Sequence, residues 1–234
     1  MYAMAVLCGG LGTRMRPVTE SIPKALIPLN GEPFMAHLLR LLASKGFTRV
    51  VLCVSNLGEK IERYVGDGST FGLRAEYSYD GPTQIGTGGA IKKAIGLLGE
   101  AFFVAYGDSY LSCDYAAIQR TFEGSKADGL MTVYHNRGTI APSNVSIDGG
   151  RIVEYLKGAT EPRFEFIDYG VGVFRSAAFS FATAGEALDL SEVVRALIAR
   201  RSLAMFEVSE RFYEIGSPEG LAETAAYIQR RVGT

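Results

Sequence analysis

Two short apolar segments that end in glycine constrain the fold of this chain most. Residues 4–8 run directly into Gly9 and Gly10, and residues 102–106 run into Gly107 and Asp108. Continuous apolar runs of this length are typical of strands that are buried on both faces of a parallel sheet. Helical patterns of apolar residues lie between these runs, at 33–45, 58–65 and 88–98. The alternation predicts an α/β fold with a doubly wound, mostly parallel sheet.

The pattern changes after about residue 135. A β-hairpin is expected around Gly149 and Gly150, and further strands are expected at 166–174, 203–208 and 212–215. A helix at 189–201 begins with acidic residues in capping-box spacing, and Ser217-Pro218 opens the last helix. The sequence therefore predicts one domain over residues 1–234. Its first half is α/β (about 1–135), and its second half is α+β (about 136–234) and forms a lid over the crevice of the first.

Composition excludes several function classes. The 24 Lys and Arg residues nearly balance the 25 Asp and Glu residues, for a net charge of −1, so a basic surface for nucleic acid is not expected. No apolar stretch approaches the ~20 residues that a membrane span needs, and no secretory signal is recognisable. Cys8, Cys53 and Cys113 match no zinc-binding spacing, and free cysteines in apolar strands are typical of a reducing compartment. We therefore expect a soluble, cytoplasmic protein without nucleic-acid or membrane partners.

The strongest chemical signal is the glycine-rich segment that follows the first strand. Backbone N–H groups around Gly9, Gly10 and Gly12 can approach phosphate oxygens closely, and the Arg14 guanidinium matches phosphate geometry. The segment lacks the Gly-Lys-Ser/Thr of a P-loop, and Met15 stands where a dinucleotide-binding loop has its last glycine. A phosphate-binding loop and a plain tight turn both remain open at this point.

Three further positions carry candidate chemistry. Lys24 follows Pro23, whose ring stiffens the segment, so Lys24 is either a directed ammonium or a solvated surface lysine. Asp108 ends a strand beside the glycine-rich segment, where a carboxylate either binds Mg²⁺ or caps a turn. Gly86 opens a glycine-rich helix, which allows either close approach of a ligand or close helix packing.

Together these motifs resemble one family. Gly-Gly-x-Gly-Thr-Arg at 9–14, Arg-Pro-x-Thr at 16–19 and Pro23-Lys24 are similar to the sugar-1-phosphate nucleotidylyltransferases, and the resemblance extends over residues 4–228. Members of that family join a sugar 1-phosphate to a nucleoside triphosphate and release pyrophosphate. The resemblance implies a Rossmann-like sheet of the nucleotidyltransferase type, with a nucleotide-binding first half and a sugar-binding second half.

The resemblance also implies roles for individual residues. The nucleotide would be bound by Leu7, Gly9, Gly10, Gly12, Thr13, Arg14, Gly86, Thr87 and Gly88. Arg14, Lys24 and Asp108 would be catalytic. Asp108 and Glu214 would hold the Mg²⁺ cofactor, although the family usually has Asp at the position of Glu214, so a surface glutamate is the alternative. The sugar motifs fit less well, and there the resemblance implies Glu154, Lys157 and Asp168.

The short format and the sequence around 86–94 look most like heptose 1-phosphate guanylyltransferases, and mannose 1-phosphate guanylyltransferases are similar in size. GTP with a heptose or mannose 1-phosphate is therefore the expected substrate pair, and UTP or dTTP is the alternative. The 234 residues show no hexapeptide repeat, so the β-helical acyltransferase domain of some members is not expected. The departure at Glu214 leaves a catalytically silent regulatory homologue as a rival, and a homodimer is compatible with the sequence.

Overall fold

A mixed sheet forms the centre of the protein. In the computed structural model, which describes residues 1–136, 142–159, 161–183 and 185–232, nine strands belong to this sheet. They are β1 (Ala3–Leu7), β4 (Arg49–Val54), β5 (Arg74–Tyr79), β6 (Ala101–Tyr106), β8 (Gly129–His135), β9 (Val145–Asp148), β10 (Arg151–Tyr155), β11 (Phe166–Arg175) and β12 (Leu203–Glu207). Four two-residue strands form two small ladders outside it: β2 (Pro28–Leu29), β3 (Glu32–Pro33), β7 (Ser109–Tyr110) and β13 (Tyr213–Glu214).

Helices cover both faces of this sheet. They are α1 (Phe34–Ser44), α2 (Gly58–Val65), α3 (Gly86–Leu98), α4 (Tyr115–Ser125), α5 (Leu190–Ala199) and α6 (Pro218–Val232). Alternate residues of β1 enter two separate apolar clusters: Met4 and Val6 pack with α1, α2, α4 and α6, whereas Ala5 and Leu7 pack with α3 and α5. Layers on both faces explain why β1 is apolar throughout, and they confirm the predicted doubly wound architecture.

The parallel part of the sheet sets the position of the crevice. β1 lies between β4 and β6 and is parallel to both, and Leu7 is in register with Cys53 on one side and with Tyr106 on the other. β5 extends this order beyond β4. Because these four strands end at one edge of the sheet, the loops that follow them meet there.

The second half of the chain extends the same sheet. β11 is antiparallel to β6, with Val171 opposite Ala105, and its first residues continue past the carboxyl end of β6. Phe166 in this extension pairs with Val145 of β9. This pairing places the β9–β10 hairpin next to the part of β11 that extends beyond β6. The predicted α+β half thus reaches the crevice through the length of β11.

Several local predictions are confirmed by the capping contacts. Asp189 and Glu192 form a complete capping box at the start of α5. The Ser217 hydroxyl accepts a hydrogen bond from the backbone N–H of Gly220 at the start of α6. The three-residue 3-10 turns at Thr13–Met15, Val18–Glu20 and Lys24–Leu26 were not predicted. In the described part of the chain, no helix has the length and apolar character needed to cross a membrane.

Candidate active site

A cavity of about 250 Å³ opens at the carboxyl edge of the parallel strands. Its walls come from the loops after β1, β5 and β6, from the start of α3 and from the 3-10 turn that carries Lys24. It is lined by Leu7, Cys8, Gly9, Gly10, Lys24, Ala25, Cys53, Asp80, Gln84, Gly86, Thr87, Ala90, Tyr106, Gly107 and Asp108. Seven of the residues expected to act on ligands are in this wall: Leu7, Gly9, Gly10, Lys24, Gly86, Thr87 and Asp108. Gly12, Thr13, Arg14 and Gly88 belong to the same loop and helix but are not part of the wall.

The glycine-rich loop is held in one conformation by its neighbours. The carbonyl oxygen of Gly9 accepts hydrogen bonds from Ser55 Oγ at 2.7 Å and from Gln84 Nε2 at 2.6 Å. Gly12 has a φ of 59°, and a Cβ there would lie 2.9 Å from Thr19 Cγ2. The loop therefore needs glycine at position 12 for both conformation and space.

Lys24 and Asp108 meet at the mouth of the cavity. Lys24 Nζ lies 2.7 Å from Asp108 Oδ2, and the two side chains are 16% and 26% exposed. The 3-10 turn that carries Lys24 begins directly after Pro23. Asp108 Oδ1 also accepts a hydrogen bond from Ser109 Oγ at 3.2 Å. A cation and an acidic oxygen donor therefore lie side by side next to the glycine-rich loop.

Glu214 lies beside Asp108 because β13 pairs with β7. Glu214 is in register with Ser109, and the N–H of Ile215 donates to the carbonyl oxygen of Asp108 at 2.9 Å. Two carboxylates on neighbouring backbones offer the oxygen donors that Mg²⁺ prefers, so the residues fit the expected metal in chemistry. The described part of the chain contains no group of three or more His, Cys, Asp and Glu residues suited to a metal. A metal held here would consequently need oxygen ligands from water or from a bound phosphate.

Arg14 approaches the same region from outside the cavity wall. A Cβ built on Gly216 would lie 2.8 Å from Arg14 Nη2 and 2.6 Å from Glu214 Oε2. The side chains of Arg14 and Glu214 therefore both lie close to Gly216, which leaves no room there for a side chain. The Arg14 side chain itself is exposed.

The expected sugar-binding residues lie around the β9–β10 hairpin. Asp168 accepts hydrogen bonds from Tyr155 Oη at 3.1 Å and from the N–H of Gly170 at 3.0 Å, and burial raises the pKa of its carboxyl. It lines a cavity of about 20 Å³ together with Tyr106, whose ring also belongs to the wall of the larger cavity. Asp168 is thus separated from the candidate nucleotide site by one side chain.

Glu154 and Lys157 each form an ion pair with a neighbouring residue. The Glu154 carboxylate is paired with Arg163 at 2.9 Å, and Lys157 Nζ is paired with Asp189 Oδ1 at 2.8 Å. Neither residue lines either cavity. A role in sugar binding stays a prediction for both.

Sequence reasoning missed Asp80, Gln84 and Tyr106 in the cavity wall. Asp80 is the first residue after β5, and Gly9 and Asp108 are the second residues after β1 and β6. The rule that ligands bind beyond the carboxyl ends of parallel strands, applied to β5, points to Asp80.

Comparison with known proteins gives consistent results. A sequence profile described as nucleotidyl transferase matches residues 4–231. Mannose-1-phosphate guanylyltransferase of Mycobacterium tuberculosis is 31% identical over 232 residues, which cover 97% of this chain and 64% of that protein. N-acetylmuramate alpha-1-phosphate uridylyltransferase of Neisseria meningitidis is 28% identical, with 97% of both chains covered. This chain thus spans less than two thirds of the length of the first relative.

Solved structures share the fold. A putative glucose-1-phosphate thymidylyltransferase from Bacillus anthracis superimposes with a TM-score of 0.83 and 20% sequence identity, over 96% of this chain and 94% of that one. At this identity the likeness concerns the fold alone. The names of these three proteins refer to three different nucleobases, so they do not indicate one base in common.

Proposed function

This chain belongs to the nucleotidyl transferase family, and from that premise we propose that it is a sugar-1-phosphate nucleotidylyltransferase. A phosphate oxygen of the sugar 1-phosphate attacks the α-phosphorus of a nucleoside triphosphate. The bond between the α-phosphorus and the bridging oxygen breaks, and pyrophosphate leaves with the electron pair. The products are a nucleoside diphosphate sugar and pyrophosphate.

One observation carries this proposal. The Lys24 ammonium lies 2.7 Å from the Asp108 carboxylate at the mouth of a cavity whose other wall is the glycine-rich loop. The reaction brings two anions together, so its barrier is dominated by charge repulsion and by positioning. This place combines a cation, an oxygen donor for a metal and a glycine-rich backbone that can approach phosphate closely, and together they meet those needs.

Each group then has a defined role. The loop from Gly9 to Gly12 binds phosphate oxygens through its backbone, and Arg14 adds a guanidinium beside it. Lys24 neutralises the charge that develops around the α-phosphate. The nucleophile is already an anion, so the reaction requires no strong general base.

Asp108 and Glu214 are the residues that would hold Mg²⁺. Bound there, the metal would supply charge neutralisation for the phosphate oxygens. Glu has one more methylene than the Asp usual in this family, and it retains two carboxylate oxygens as possible ligands.

GTP with a heptose or mannose 1-phosphate is the proposed substrate pair. The resemblance around Gly86 and the guanylyltransferase named among the relatives support this choice. UTP and dTTP are the alternatives, since relatives that use other bases are similar as well. On the sugar side, Asp168 behind Tyr106 is the proposed partner of sugar hydroxyls.

A pyrophosphate-release assay tests the proposal. Purified protein is incubated with Mg²⁺, each of the common nucleoside triphosphates and a panel of sugar 1-phosphates. Release that requires both substrates supports the enzyme. Nucleotide binding without release for any pair would instead support the silent regulatory homologue. Thermal shifts can rank the ligands first, because a ligand at ~100 times its Kd stabilises the protein by ~2.7 kcal/mol.

A further inference from the structure

The end of the cavity opposite Lys24 holds a carboxylate that phosphate binding does not explain. Asp80 follows β5, and its Oδ2 lies 3.4 Å from the position of a Cβ built on Gly9. Within the described residues, its carboxylate forms no ion pair within 4.0 Å. Burial raises the pKa of this carboxyl, and the nearby Lys93 ammonium and a hydrogen bond from the backbone N–H of Ile85 oppose that effect. The ionised group is therefore partly desolvated, and further N–H donors from a ligand would stabilise it.

The backbone of Asp80 is fixed on both sides. Its N–H donates to the carbonyl oxygen of Val54 at 3.0 Å, and its carbonyl oxygen accepts from Lys93 Nζ at 2.9 Å. Gln84 Nε2 lies within 3.4 Å of Ser55 Oγ and also holds the Gly9 carbonyl. These contacts fix the backbone of Asp80 at the end of β5 and hold the glycine-rich loop at the end of β1.

The strand order sets the distance between the two ends of the cavity. Asp80 follows β5 and Asp108 follows β6, and the strands lie in the order β5, β4, β1, β6. Three inter-strand spacings correspond to about 14 Å. This separation is enough to hold a phosphate group at one end and the nucleobase at the other.

Charge decides which end of the nucleotide lies where. The triphosphate is strongly anionic, so contact with the Asp80 carboxylate would be repulsive, whereas contact with Lys24 is attractive. The nucleobase therefore lies against Asp80.

Hydrogen-bond chemistry then selects the base. An ionised carboxylate only accepts hydrogen bonds, and its two oxygens accept from two parallel donors. Guanine presents two adjacent donors, N1–H and the 2-amino group. Uracil and thymine present one N–H between two carbonyl oxygens, which a carboxylate repels, and adenine and cytosine present their amino group beside an acceptor nitrogen. We propose that the Asp80 carboxylate determines base specificity by accepting hydrogen bonds from N1–H and the 2-amino group of guanine. This inference rests on the proposed function, since it assigns the base of that nucleotide.

Substitution Asp80→Asn provides a direct test. The amide keeps one acceptor for N1–H and places an N–H donor where guanine also has a donor. Xanthine has a carbonyl oxygen at that position, so the variant should favour xanthosine triphosphate. We expect the ratio of kcat/KM for xanthosine triphosphate to that for GTP to rise at least about tenfold relative to the unchanged protein. Asp148→Asn, at the exposed last residue of β9, is the matched control and should leave the ratio unchanged.

Two results would overturn the inference. If Asp80→Asn lowers kcat/KM equally for GTP, xanthosine triphosphate and 2′-deoxy-GTP, Asp80 supports the fold and does not select the base. If Asp80→Asn lowers kcat/KM for GTP but not for 2′-deoxy-GTP, and the ratio of xanthosine triphosphate to GTP stays constant, Asp80 contacts the ribose. If the variant does not fold, the unchanged protein provides the test. Its kcat/KM must be higher for GTP than for inosine triphosphate, which lacks the 2-amino group.

The test also separates this inference from the proposed function. If no substrate pair releases pyrophosphate, the proposed function fails, and calorimetric binding of GTP and inosine triphosphate still measures base selection. If pyrophosphate is released but GTP and inosine triphosphate are used equally, the inference about Asp80 fails and the proposed function stands.

Discussion

Replacing Lys24 with alanine separates a catalytic role from a structural one. The substitution removes the ammonium that lies 2.7 Å from the Asp108 carboxylate. In the proposed reaction this charge stabilises the transition state, and loss of one such contact lowers kcat by about 10² to 10³. That range corresponds to roughly 3–4 kcal/mol of barrier.

The expected effect on stability is much smaller. The side chains of Lys24 and Asp108 are 16% and 26% exposed, so water screens the pair in part. A partly exposed ion pair contributes about 1 kcal/mol, which is roughly 2–4 °C in Tm for a chain of this size. Activity and stability should therefore change by very different amounts.

Steady-state pyrophosphate release and thermal unfolding are measured on the same preparations. Lys126→Ala, at the exposed C-terminal end of α4, removes an equal charge outside the site and should leave both quantities nearly unchanged. Lys24→Arg retains a positive charge with different geometry and should recover part of the lost rate. The reasoning is refuted if Lys24→Ala keeps near-normal kcat, or if its lost rate accompanies a fall in Tm far above 4 °C.

Three further outcomes follow from the structure. Glu214→Gln should fold normally, need more Mg²⁺ for half-maximal rate and lose most activity, and an unchanged Mg²⁺ titration and rate would show that Glu214 is not a metal ligand. Tyr169→Phe should leave stability equal or raise it by about 1 kcal/mol in denaturant unfolding, because the buried hydroxyl has no hydrogen-bond partner among the described residues; a clear destabilisation would contradict this. Burial raises the pKa of Cys53 and of Cys113 to about 12, so mass spectrometry should find both thiols unalkylated by iodoacetamide at pH 7.5 until the protein unfolds, and rapid labelling of the folded protein would contradict this expectation.

The sequence predicts the parts of the site that follow long, strongly patterned elements. β1 and β6 are apolar throughout, so their ends at the glycine-rich loop and at Asp108 could be placed from these continuous apolar runs and from the glycines that follow them. Pro23 likewise indicated a fixed direction for Lys24. In each case a local signal and the tertiary arrangement agree.

Elements defined by pairing alone could not be predicted. β7 and β13 have two residues each, which is too short for any periodic signal, and yet their pairing is what brings Glu214 beside Asp108. The alternation of β11 indicates a strand but neither its direction nor its neighbours. The ion pairs of Glu154 with Arg163 and of Lys157 with Asp189 also depend on tertiary structure.

The length of β11 couples the two halves of the chain at the site. Five of its residues pair with β6 from Val171 onward, and the preceding residues extend beyond the end of β6, where they carry Asp168. Tyr106, the last residue of β6, stands between the main cavity and the small cavity under Asp168. In the proposed reaction, a sugar whose phosphate lies at Lys24 reaches Asp168 and the other residues of β11 only past the side chain of Tyr106. Since the small cavity is only about 20 Å³, room for that sugar requires either a shift of Tyr106 or binding in the larger cavity against its ring.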